Sequence, residues 1–296
     1  MRGNANSDSK IKYVILLCAC LVCIATCICL ALVYQMMLTR DDDDALEALR
    51  DSIKQYETLD TTPSTAPQDT ADTADSAPSI DPIEDTTADD APEEGLLDFD
   101  TLWEVNPDIH AWIEIKDTKI DYPVLQSPDN DKKYLNTAYN GTWYIGGAIF
   151  TESTYNGIDF NDPVTVIYGH TMRSGTMFGQ LQKSYSDPKL FEENSDIVIY
   201  LPDEVRHYKV FAAVPYSKAH ILDTYDFSSG YWYKRFFNEV GRIREIGANF
   251  DREAFPSVGD RVIILSVCLN EDTARRYLVM AVFEEDLSDN VGLGSN

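Results

Sequence analysis

The sequence predicts a mostly β domain over residues 96–296, folded as a closed or nearly closed barrel of about eight strands. A helix opens it, and a longer helix is inserted before the strand that ends in Cys268. Three observations predict this. Short runs of β-branched and aromatic residues recur along the segment. Turn residues such as Asp117-Thr118, Asn140-Gly141 and Val258-Gly259-Asp260 separate them. Only one internal stretch carries a long helical periodicity. Many short strands with few helices satisfy their edges most simply by closing on themselves, and about 200 residues suffice for one core.

Taken in order, residues 96–106 read as a short helix with Leu97, Leu102 and Trp103 on one side, ended by Asn106-Pro107. Strands are expected at 111–115, 122–126, 147–150, 164–168, 197–201 and 208–212, then at 261–267 and 277–283. Between residues 227 and 250, Trp232, Phe236, Phe237, Val240 and Ile243 recur at helical spacing. That predicts a substantial amphipathic helix whose aromatic stripe is a packing face.

The first 95 residues are of another kind. From Tyr13 to Leu38 the chain is apolar without a charged residue, longer than the roughly 20 residues a bilayer-spanning helix needs. Arg2, Lys10 and Lys12 precede this run, and Arg40 and Asp41–Asp44 follow it. The expectation is a cytoplasmic N-terminus at 1–12, an uncleaved signal-anchor helix at 13–38 in the cell membrane and an extracellular remainder. A cleaved signal peptide is the competing reading, against which stand the length of the run and the lack of a small-x-small exit site.

Residues 41–95 carry 18 acidic and two basic side chains, more than half of the chain's net charge of −26. Thr, Pro, Ala, Asp and Ser dominate from 58 to 92, leaving too little apolar surface to offset ordering entropy. Residues 39–95 are therefore expected to form a flexible acidic stalk. No basic patch suggests nucleic acid.

Five of the six cysteines lie in the apolar run, so Cys268 is alone in the folded part. A single thiol excludes an internal disulfide there and offers no cysteine cluster for a metal. It is either a small buried apolar residue or a reactive nucleophile. A nucleophile needs a proton-handling partner and a donor for the developing oxyanion. His110 and His207 sit beside turns or at strand ends and His220 lies in a loop, all with structural or solvated readings. His170 differs: it ends the apolar run 164–168, follows Gly169 and opens the polar loop from Thr171 to Gly175. Arg275 and Arg276 start the next strand after Cys268, where an arginine either caps a barrel rim or points its planar fork at the site. Together these residues make a testable triad: Cys268, His170 and Arg276.

With these residues the chain resembles the sortases, cysteine transpeptidases, and within them the class B branch. The resemblance covers essentially all of residues 96–285. It rests on Val105-Asn-Pro-Asp-Ile109 with Ala111-Trp-Ile-Glu-Ile115, on Ile120-Asp-Tyr-Pro-Val-Leu-Gln126, and on Asp129-Asn-Asp131 with Tyr134-Leu135. It continues through Gly147-Ala-Ile-Phe150, Val166-Ile-Tyr-Gly-His170, Met177-Phe-Gly-Gln-Leu181, Leu265-Ser-Val-Cys268 and Arg276-Tyr-Leu-Val279. The long helix before the cysteine strand also fits class B.

The resemblance implies a sortase-type barrel with Cys268, His170 and Arg276 as its catalytic cysteine, histidine and arginine. Arg276 is preferred to Arg275 because the family arginine directly precedes a β-run, and alternation groups Arg276 with Leu278 and Met280 but Arg275 with Tyr277. The implied reaction cleaves a C-terminal sorting motif of exported proteins after threonine, through a thioester. An amine of a peptidoglycan precursor or a pilin lysine resolves it, with no metal or cofactor. One departure stands out: sortases usually carry threonine before the cysteine, and here it is Val267. A valine lacks the hydroxyl, so altered substrate handling is expected. Two rivals remain. A surface binding module on the same barrel would need no reactive thiol. Other cysteine peptidases usually place the cysteine at a helix N-terminus and ahead of the histidine, the reverse of the order here.

Overall fold

The computed structural model describes residues 16–30, 45–53, 97–172, 174–268 and 274–284. It divides into two units, residues 1–58 and 59–296. In the first, residues 16–30 and 45–53 are helical. Here the expectation of a single-pass anchor is corrected: among the described residues no helix is long and apolar enough to cross a membrane. Residues 13–15 and 31–38 of the expected span lie outside the described residues, as does most of the expected stalk. The placement in the cell membrane, with an extracellular domain, rested on that span and falls with it.

The second unit opens with α1 (Phe99–Val105). Asp98 caps it by accepting from the Thr101 N–H at 3.1 Å, and the extended Asn106 ends it ahead of Pro107. The meander β1 (Ile109–Glu114) and β2 (Asp121–Leu125) follows, then a 3₁₀ turn at Lys133–Leu135, β3 (Ile149–Phe150) and β4 (Val164–Tyr168). Two short helices, α2 (Leu181–Ser186) and α3 (Pro188–Glu193), lead to β5 (Asp196–Tyr200) and β6 (Val205–Ser217). Next come α4 (Ile221–Thr224), α5 (Gly230–Val240), β7 (Asn249–Phe250), β8 (Val262–Cys268) and β9 (Arg275–Glu284).

The strands run in the order β5-β1-β2-β3-β4-β8-β9-β6, and β6 pairs with β5 to close an eight-stranded barrel. The two-residue β7 adds to β6 outside the ring. The β2–β3 and β4–β8 pairs are parallel. All eight expected strands are present. β6 is thirteen residues long and starts earlier than expected, because its first half buries alternate positions Arg206, Tyr208 and Val210 between polar neighbours.

α5 covers less than the predicted stretch. Its last turn tightens at Gly241, where Arg242 and Ile243 donate to carbonyls only three residues back. Gly247, at φ +82°, then turns the chain into β7. The stripe itself behaves as predicted. Phe236, Phe237 and Val240 pack with Val164 and Val166 of β4, Val262 and Ile264 of β8, and Leu278 and Met280 of β9. Each buried side chain of this kind contributes about 1.5–3 kcal/mol. An eight-stranded barrel has room inside only for side chains, so α5 lies on its outer face.

Candidate active site

The site is assembled by the parallel pairing of β4 with β8. Tyr168 stands opposite Ser266, and the Gly169 N–H extends the ladder by donating to the Ser266 carbonyl at 3.3 Å. Both strands therefore end at one rim, with His170 just past β4 and Cys268 as the last residue of β8. Antiparallel β9 begins at that same rim, and its register sets Arg276 opposite Cys268. The backbone thus brings the three sequence-predicted positions to one end of the barrel. At Gly169 the packing is close: a Cβ there would meet Ile149 Cδ1 and Phe178 Cδ2, each at 2.6 Å, and push one of them aside.

His170 is half-buried, with Nε2 3.0 Å from the Leu135 carbonyl oxygen. A carbonyl only accepts, so Nε2 carries the proton in this contact and Nδ1 is left for other chemistry. Burial holds the imidazole below its usual pKa, and the Arg276 charge lowers it further, against an opposing pull from the Leu135 carbonyl. The same Arg276 charge reaches Tyr168, whose phenol is pushed up chiefly by burial and next by Glu152. Arg276 therefore bears electrostatically on the His170 side of the rim.

Arg275 is engaged elsewhere. Its guanidinium grips Glu245 with two bonds of 2.7 and 2.9 Å. Tyr277, on the same side of the strand, donates to the Gly247 carbonyl at 2.8 Å. Both reach the segment between α5 and β7, as strand alternation requires. Val267, the departure from the family pattern, is 2% exposed.

The other histidines are structural. His110 is buried, with Nδ1 2.9 Å from the Ile158 carbonyl and Nε2 3.0 Å from Thr151 Oγ1, and burial pushes its pKa down to about 4. His207 lies 3.1 Å from Asp196 on the neighbouring strand. His220 caps α4 by accepting from the Asp223 N–H at 3.1 Å, which leaves Nε2–H to donate to Glu152 at 2.7 Å.

Sequence reasoning missed two features here. One is the Leu135 carbonyl, a backbone acceptor 35 positions from His170. The other is the Glu152–His220 pair, which faces Tyr168 and joins residues 68 positions apart. Neither leaves a local signal in the sequence.

A family model described as a sortase domain matches residues 113–284. Sortase B of Listeria monocytogenes is 32% identical over 181 residues, covering 60% of this chain and 68% of its own length. Sortase B of Staphylococcus aureus is 29% identical over 188 residues, covering 62% and 73% respectively. Among solved structures, a mutant form of Clostridium perfringens sortase B aligns with a TM-score of 0.56 at 27% identity, covering 63% of this chain and 86% of that one. A Staphylococcus aureus sortase B–substrate complex aligns at 0.55 and 28% identity, covering 64% and 85%.

Proposed function

We propose, for a chain that belongs to the sortase family and to its class B branch, that Cys268, His170 and Arg276 carry out the family's transpeptidation. The family's enzymes are cysteine transpeptidases that act on exported proteins bearing sorting motifs and on amine acceptors. In this reading the Cys268 thiolate attacks the carbonyl of a threonine in a C-terminal sorting motif. The Arg276 guanidinium donates to the tetrahedral oxyanion. His170, as imidazolium, gives its proton to the leaving amine, and the C–N bond breaks to leave a thioester on Cys268. An acceptor amine, from a cell-wall peptide or a pilin lysine, then attacks the thioester. His170 takes up the amine's proton, and the thiolate leaves as the new peptide bond forms.

The observation that carries the reading is the register: Arg276 stands opposite Cys268 across β8–β9, and the β4–β8 ladder delivers His170 to the same rim. Burial and the Arg276 charge both depress the His170 pKa, against the opposing pull of the Leu135 carbonyl. The test is mass spectrometry of the full chain mixed with a library of threonine-containing sorting peptides and an amine. The expected result is an acyl adduct on Cys268 that is absent from Cys268→Ala. No adduct and no cleavage with any peptide would overturn the assignment.

A further inference from the structure

We propose that Gly147 is a positioning residue for the reaction, acting through the Leu135 carbonyl on the His170 imidazole. The inference rests on the reading of His170 as the proton-handling group.

The 3₁₀ turn Lys133–Leu135 ends in carbonyls that have no partner within the turn. Three successive carbonyls are each taken from outside it. Tyr134 O accepts from the Ala148 N–H at 3.0 Å, Leu135 O from His170 Nε2 at 3.0 Å, and Asn136 O from the Tyr144 N–H at 3.1 Å. The partners of the first and third come from the loop segment 144–148 that runs back past the turn into β3, so this segment fixes the direction of the second. The returning segment passes the carbonyls at Gly147. Its φ is +57°, and a Cβ there would collide with Tyr134 O and lie only 2.7 Å from Leu135 O and 2.8 Å from Leu135 C. No side chain fits between the loop and the turn at this point. Any residue but glycine has to push the Tyr134 and Leu135 carbonyls away, and the second of these is the acceptor that holds Nε2–H and leaves Nδ1 free. Gly147 thereby bears on the imidazole through the Leu135 carbonyl.

Gly141 in the same loop supplies a matched control. It also has a positive φ, +82°, but a Cβ there meets nothing within 4 Å. Gly141→Ala therefore imposes comparable backbone strain without touching the carbonyls.

The experiment uses the full chain with ¹⁵N-labelled histidine, the His170 signals being assigned by His170→Gln. The tautomer is read above the imidazole pKa, together with kcat/KM on a cleavable sorting peptide. In the wild type, Nε2 is expected to carry the proton. In Gly147→Ala the His170 tautomer becomes mixed and kcat/KM falls about tenfold to a hundredfold, while Gly141→Ala leaves both unchanged. Asparagine tolerates positive φ better than alanine but still brings a Cβ, so Gly147→Asn is expected to behave like Gly147→Ala.

A wild-type His170 protonated on Nδ1 overturns the proposal whether or not any variant folds. An unchanged tautomer and rate in Gly147→Ala overturn it too, as does a full rescue by Gly147→Asn, which would reduce the effect to φ strain. The two layers separate cleanly. Retained transpeptidation in His170→Ala removes the catalytic reading, whereas an unchanged tautomer in Gly147→Ala removes only the positioning.

Discussion

Replacing Arg275 and Arg276 singly by alanine sets two neighbours with different work against each other. The Arg275 guanidinium makes a two-bond pair with Glu245, but the two side chains are 33% and 48% exposed. Solvent and salt screen such a pair, so its loss costs about 0.2–1 kcal/mol. In a domain of this size that is a fall in Tm of about 4 °C at most. Turnover should hold. Arg276→Ala removes the proposed oxyanion donor, which in comparable sites costs about 100- to 1,000-fold in kcat, or about 2.7–4 kcal/mol of transition-state stabilisation.

A second signature follows from charge. Arg276 lowers the His170 pKa, so its removal moves the His170 inflection of the pH–rate profile upward, toward the ordinary imidazole value of about 6.5. Arg276→Lys keeps the charge but not the planar fork; it should keep the inflection and recover only part of the rate. The assay is a thermal melt beside steady-state cleavage of a fluorogenic peptide from pH 5 to 9. The reasoning is refuted if Arg275→Ala abolishes turnover while Arg276→Ala retains it, or if the inflection stays put in Arg276→Ala.

Two further predictions concern stability. His110 is held neutral in the fold at a pKa of about 4, below the unfolded value of about 6.5, so below that value the unfolded chain binds the extra proton first. Stability is therefore lost as pH falls from 6.5 to 4, by about 3 kcal/mol from this group. Urea midpoints against pH should slope less in His110→Gln than in the wild type, and equal slopes would remove His110 as the cause. Val267→Thr places a hydroxyl where the side chain is 2% exposed, so it should cost about 1–3 kcal/mol by thermal melt and alter peptide preference. If melt, turnover and preference all stay unchanged, the valine is simply tolerated.

The barrel was legible because its core strands are runs of β-branched residues bounded by turn residues: Val164–Tyr168 and Val262–Cys268 read as strands wherever they are placed. The start of β6 was harder to see, since Arg206, His207 and Lys209 lower its apparent hydrophobicity although Arg206 is buried. There the Arg206 guanidinium donates to the Phe160 carbonyl at 3.0 Å and to Asn161 Oδ1 at 3.1 Å, contacts no local pattern reveals. The two-residue β7 is set by pairing with β6 and has no periodicity of its own. At the rim, the order His170, Cys268, Arg276 could be read from strand ends. The Leu135 carbonyl could not, because every residue has one and only the fold selects which is used. Alternation put Arg275 and Arg276 on opposite faces, the preference for Arg276 came from the family resemblance, and the Glu245 and Gly247 contacts show where the Arg275 face of the strand goes.

The closure of the ring by β9 has a consequence for the order in which the molecule is made. β9 bridges β8 and β6, strands whose hydrogen-bonding edges stay open until residues 275–284 exist. On a ribosome, Cys268 is therefore synthesised before the strand it pairs with, and at about 5–20 residues per second the nascent sheet spends a finite time with unpaired edges. A chain interrupted between β8 and β9 would be an open, adhesive sheet rather than a slow enzyme. Quality control and activity are thereby tied to the same event, the docking of that strand.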